Sequence, residues 1–204
     1  MSTLLQLGNP LLRHTSRPIT LQELYTPSFL SSVSTLKQTL VEFRATSGFG
    51  RAIAMPQIGI ATRVVALHLE HISLPSNPSP SASLRTGLQW TMNKPIALIN
   101  PIITWKSPET FHMFDDCLCF PDKLVRVKRH CSVSLEFTDE STGEVHVFER
   151  LPINESELIQ HELDHLDGVL AVDLAEDPAV DIISRVVFEQ NKAEYLKTVD
   201  YHIA

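Results

Sequence analysis

The sequence predicts an α+β fold in which antiparallel or mixed sheets pack around a central helix that carries metal ligands. Three observations point there. Short β-branched runs recur at 63–69, 96–100, 132–138 and 145–148 and read as strands. Phe29, Val33, Leu36, Leu40 and Phe43 repeat at helical spacing ahead of them. A second helical stretch, 154–167, holds two histidines on one face.

Each element follows from local chemistry. Met1 to Pro10 carry no basic start, long apolar core or cleavage pattern, so no targeting peptide is expected. Thr26 and Pro27 fit a helix cap and first helical position, because proline presets φ and lacks an N–H that the first turn would leave unpaired. That helix leads to the Gly/Ala-rich run Gly50-Arg51-Ala52-Ile53-Ala54-Met55-Pro56-Gln57-Ile58-Gly59. Across 71–92, Pro75, Pro78 and Pro80 break any regular element, and a surface loop is expected, with Leu88 and Trp90 docking its end or covering a groove. Ser141-Thr142-Gly143 reads as a turn. Asn154 is placed to cap the second helix, with Glu157 completing a capping box, and Gly168 to end it. After Pro178, the apolar residues Val180, Ile183, Val187 and Tyr195 predict a C-terminal helix over 179–199. No repeat is apparent, and 204 residues at 43% hydrophobic content are read as one domain, 1–204.

Composition narrows the function classes. A net charge of −7 argues against a general nucleic-acid binder. The local exception, Lys123, Arg126, Lys128, Arg129 and His130, reads as a solvated strand face, with contact to RNA or a peptide carboxylate as the alternative. Cys117, Cys119 and Cys131 are too few and odd in number for a disulfide framework, which fits a reducing, cytoplasmic setting. No apolar run approaches the roughly 20 residues of a membrane span.

The chemistry concentrates in His161-Glu162-Leu163-Asp164-His165. Histidines at i and i+4 stack on one helix face and can share an ion, with the glutamate beside a coordinated water. The ion lowers the pKa of that water from about 16 toward about 7, and the carboxylate takes the proton. A third ligand is needed. The H-E-x-x-H-x-x-G-x-x-H route keeps Gly168 but has Ala171 where a third histidine would stand. Glu189 lies in a later helical stretch with no supporting motif. Cys117, in Asp115-Asp116-Cys117-Leu118-Cys119-Phe120-Pro121, is the better candidate, since one cysteine and two histidines leave an open catalytic position. Adding Cys119 would close the site, and Glu162 and Gln57 would then have no evident purpose.

With Gln160 ahead of His161, these segments resemble the peptide deformylases, whose pattern is a glycine-rich motif ending in Gln, then E-G-C-L-S, then Q-H-E-x-D-H. Residues 5–13 are similar to the family's opening strand and Asn-Pro-x-Leu-Arg turn, and 120–139 to its strand region after the cysteine. The resemblance implies Cys117, His161 and His165 as ligands of one divalent metal, ferrous iron first, with zinc or nickel in prepared protein. It makes Glu162 the general acid and base. It gives the Gln57 side-chain amide and the Leu118 backbone N–H the task of binding the developing oxyanion. Gly50, Arg51, Ala52, Asp116, Glu157 and His161 would surround substrate. The implied reaction removes the N-formyl group from the first residue, formyl-methionine, of nascent peptides and releases formate. Formylated peptides and the ribosome are the implied partners, with no specific nucleic acid and no membrane, in the cytoplasm or in an organelle after loss of a transit peptide.

Departures from the pattern are specific. Ala52 stands for glycine, Met55 for alanine, Asp115 for glutamate, Asp116 for glycine and Cys119 for serine. Arg51 and Glu157 occupy positions that are usually apolar and line the pocket for the methionine side chain. These two charges are expected to meet as an ion pair across the pocket mouth, narrowing it or selecting another residue. The alternatives to the ordinary activity are a specialised formylated substrate and a non-catalytic binding homologue.

Overall fold

The computed structural model describes residues 4–69 and 94–203, so the expected 71–92 loop, with Leu88 and Trp90, lies outside the described residues. A short helix α1 (Leu21–Leu24) is followed by α2 (Pro27–Ser47). Thr26 caps α2 by accepting from the Phe29 N–H, and Gly48, at φ 77°, ends it. Phe29, Val33, Leu36 and Leu40 are buried along one face, as their spacing predicts.

Strands β1 (Ala52–Ala54), β2 (Val64–Leu67) and β3 (Ile96–Lys106) follow, then β4 (Thr110–Asp115), β5 (Lys123–His130), β6 (Val133–Asp139) and β7 (Val145–Leu151). The larger sheet has the order β1-β2-β3-β6-β7, and its neighbours all pair antiparallel. Alternate residues explain the apolar runs. Ala52, Ala54 and Val65 face the metal-motif helix, whereas Ile53, Val64 and Ala66 face α2. Strand β3 runs past the predicted end at 100. Its register shifts between Ile99 and Ile102, at Asn100 with φ 51°, and such an irregularity accommodates Pro101. The Asn100 amide also donates to the Ile19 carbonyl and accepts from the Ile19 N–H.

The metal-motif helix α3 (Ile153–Leu166) lies between that sheet and β5, and 11 of its 14 residues are buried. Its start differs from expectation. Pro152 is the N-cap, no side chain among the described residues caps the helix, and Glu157 is drawn to Arg51 instead of reaching back as a capping box. At its end Gly168 takes φ +75°, and a Cβ there would sit 2.5 Å from the Arg13 carbonyl oxygen. That close approach requires glycine.

The C-terminal region corrects the expectation of one helix over 179–199. A short helix α4 (Pro178–Asp181) gives way to strand β8 (Ile182–Ser184), then α5 (Arg185–Gln190) and α6 (Lys192–Tyr195). Two β-branched isoleucines pair with the open edge of β5, completing the sheet β4-β5-β8. Ser184 then caps a new helix by accepting from the Val187 N–H. Among the described residues no helix is long and apolar enough to cross a membrane.

Candidate active site

The glycine-rich run enters the site through Gln57. Its Oε1 accepts from the Ala54 N–H at 2.7 Å, which fixes the amide plane and turns Nε2 toward the sulfurs of Cys119 (3.4 Å) and Cys117 (3.8 Å). The N-terminal segment ties this run to the cysteine turn. Leu5 N–H donates to Gln57 and Leu7 N–H to Cys119, and the turn at Asn9-Pro10 buries Leu12 beside Cys117.

Cys117, His161 and His165 converge, with one ligand atom from each within 4.8 Å of the others. Cys117 Sγ and His165 Nε2 are 3.2 Å apart. Bonds of about 2.0 Å to nitrogen and 2.3 Å to sulfur in a tetrahedron put two such atoms about 3.5 Å apart, so the set fits one ion. Cys119 is not part of the converging group; its sulfur faces Gln57.

Asp115 orients the first histidine. Its Oδ2 lies 2.9 Å from His161 Nδ1 and accepts from Arg129 Nη2 at 2.7 Å. With Nδ1 engaged, His161 offers Nε2 to an ion. Burial pushes the Asp115 carboxyl up, but the charges of His161 and Arg129 outweigh it and hold it well below the carboxylate range. Burial and the Arg129 charge push His161 down, but the Asp115 carboxylate, with Glu162 beside it, outweighs them and raises it to about 9. Burial lowers His165, keeping it neutral and ready to ligate. Burial raises Glu162 to about 7, and its Oε2 has no hydrogen-bond partner among the described residues. A carboxylate poised near neutral pH with a free oxygen suits proton transfer.

A cavity reaches His161 and Glu162 past Phe49, Gly50, Arg51, Ala52, Asp116, Leu118 and Glu157. The site residues expected around substrate are therefore brought together. Asp116, the unexpected replacement for glycine, pairs with Arg185 at 3.1 Å, and that guanidinium lies over the Phe49 ring. The Leu118 backbone N–H donates to no protein group among the described residues.

Two contributors escape the motifs. Arg129 is buried and bonds Asp115 and, at 2.5 Å, Asp164, which corrects its reading as part of a solvated face. Alternation held the signal, since Val125, Val127 and Arg129 are all buried and share one face of β5. Arg185 lies 69 residues from Asp116, and nothing local marks it.

Comparison with known proteins agrees with this geometry. A family model described as polypeptide deformylase matches residues 1–180. The peptide deformylase of Pseudothermotoga lettingae is 30% identical over 168 residues, covering 82% of this chain and 79% of its own. That of Leptospira biflexa is 29% identical over 172 residues, covering 83% and 85%. The solved peptide deformylase of Thermotoga maritima superimposes with a TM-score of 0.65 at 25% identity, covering 87% of this chain and 99% of its own. With its fold, its Cys/His/His group and a family match over most of its length, the chain belongs to the polypeptide deformylases, metallohydrolases that remove N-formyl groups from nascent peptides.

Proposed function

We propose that Cys117, His161 and His165 hold one divalent ion, ferrous iron by preference, and that Glu162 performs the proton transfers of formyl hydrolysis. The observation that supports this most directly is the convergence of the three ligand atoms beside a buried carboxylate with an unpartnered oxygen. When bound, the ion supplies Lewis acidity and lowers the pKa of a coordinated water. Glu162 would take a proton from the water as its oxygen forms a bond to the formyl carbon, and would return that proton to the amine nitrogen as the C–N bond breaks, leaving formate and a free N-terminus. The formyl oxygen gains negative charge on the way. The Leu118 N–H and the Gln57 amide are the donors for it, and losing one such donor typically costs about 100-fold or more in rate. Gly50, Arg51, Ala52 and Asp116 shape the approach.

Nascent peptides place the work in the cytoplasm beside the ribosome, a setting that suits a buried thiolate ligand. Glu162→Gln retains the shape but cannot accept the proton. Formate release from formyl peptides should drop by about 100-fold to 10,000-fold while the ion stays bound. Unchanged release would remove Glu162 from the chemistry.

A further inference from the structure

The basic run of β5 is divided by the fold. Lys123 pairs with Asp122 and Arg126 donates to the Thr198 carbonyl, whereas Lys128, Arg129 and His130 border a separate cavity of about 410 Å³. That volume falls among small-molecule sites, which run from roughly 300 to 1,000 Å³. The metal helix supplies one wall through Gln160, Leu163, Asp164 and Asp167, which recur at helical spacing on a different face from His161 and His165. Strand β3 supplies another through Ile102, Ile103 and Lys106.

The charges of this lining do not cancel. Arg63 pairs with Asp167 at 2.6 Å and Arg129 with Asp164 at 2.5 Å. Lys106 and Lys128 have no ion-pair partner among the described residues, so two positive charges stand uncompensated in the lining of a chain whose net charge is −7. Such a local field concentrates anions. Arg129 adds an unused donor. Its side chain is 4% exposed and its Nη atoms bond Asp115 and Asp164, but its Nε has no hydrogen-bond partner among the described residues. A buried N–H without an acceptor is costly. The remaining surface is apolar: Ile102 is 52% exposed, and Ile103 and Leu174 line the cavity with it. An inorganic ion would leave that surface in water, whereas an organic anion would cover it.

We propose that this cavity binds a small phosphate monoester, its dianion held by Lys106 and Lys128 in the field of Arg129 and its apolar body laid against Ile102, Ile103 and Leu174. Two uncompensated lysines match a phosphate monoester, which carries close to two negative charges, better than the single charge of a carboxylate. Calorimetry at about pH 8 on metal-loaded protein would use phenyl phosphate, with inorganic phosphate and benzoate for comparison. Phosphates also ligate metal ions, so Lys106→Met and Lys128→Met, singly and together, locate the binding. Both lysines are exposed, and replacing them leaves the core untouched. Phenyl phosphate should bind once per chain. Each substitution should weaken it about 10-fold and the pair about 100-fold, the scale of lost bonds to charged groups, while Lys192→Met in α6 changes nothing. Inorganic phosphate should bind about 10-fold more weakly for want of apolar contact, and benzoate also more weakly for want of charge. No binding of phenyl phosphate, or binding that survives in the double variant, overturns the proposal. Inorganic phosphate binding as tightly as phenyl phosphate would also overturn it, since a charged surface alone would then suffice. Benzoate binding more tightly than phenyl phosphate would make the ligand a carboxylate and overturn the phosphate assignment.

Discussion

At the residue scale, the site turns on Asp115, a carboxylate one methylene shorter than the family pattern has. The shorter arm still reaches His161, and Arg129, which donates to the same Asp115 Oδ2, is itself tied to Asp164 on the metal helix. Asp115→Ala should leave Arg129 buried beside an unoriented imidazole. We expect metal affinity to fall about 10-fold to 100-fold, measured by competition with a chelator. Unchanged affinity would mean that packing alone orients His161. Cys117, His161 and His165, which the fold brings together, and the candidates Glu162 and Gln57 were legible in the sequence because each belongs to a short run whose spacing has a chemical reason. Arg129 and Arg185 were not, since their partners Asp115 and Asp116 lie 14 and 69 residues away and only the folded chain joins them.

At the scale of elements, two turns carry more than their length suggests. Between β6 and β7, Asp139 Oδ1 accepts from the Ser141 and Thr142 N–H groups, both at 2.8 Å, and from the Ser141 hydroxyl at 2.6 Å. Burial pushes the Asp139 carboxyl up, but these donors outweigh it and hold it below its usual value. A carboxyl depressed by folding stabilises above its unfolded pKa of about 3.9 and loses that contribution as pH falls through the lower folded value. Asp139→Ala should therefore cost about 2 kcal/mol at pH 7, with the gap to wild type closing below about pH 4 in denaturant melts. A gap that is constant with pH would show that the charge is immaterial. After the metal helix, Gly168→Ala must bear both a left-handed backbone and contact with the Arg13 carbonyl. A loss of about 2 kcal/mol or more is expected in the same melts, and a neutral result would mean that the Arg13 segment moves aside freely. Both turns could be read from sequence, the first from Ser141-Thr142-Gly143 and the second from the glycine after the helix. The region after Pro178 could not. The spacing of Val180, Ile183 and Val187 fits a helix, but the open edge of β5 offers backbone bonds that local pattern cannot show, and Ile182–Ser184 takes them.

For the whole molecule, two layers enclose a helix whose polar residues form the site. The α+β class, the long N-terminal helix and the buried metal helix followed from periodicity and from the motif's need for enclosure. The division of the eight strands among the described residues into a five-stranded and a three-stranded sheet did not, because strand partners are set by tertiary pairing. The arrangement would make an ion held by Cys117, His161 and His165 a link between layers. Cys117 follows β4 of the smaller sheet, while His161 and His165 belong to the helix packed on the larger one. Hydrolysis should therefore need one ion held across that junction. Formate release can be followed as metal-free protein is titrated with ferrous iron without oxygen, using formyl peptides with both small and methionine first residues. Activity should rise linearly and break at one ion per chain, with Cys117→Ser abolishing the rise. Full occupancy by one ion with no formate from any peptide would show that an ion held there does not serve formyl hydrolysis.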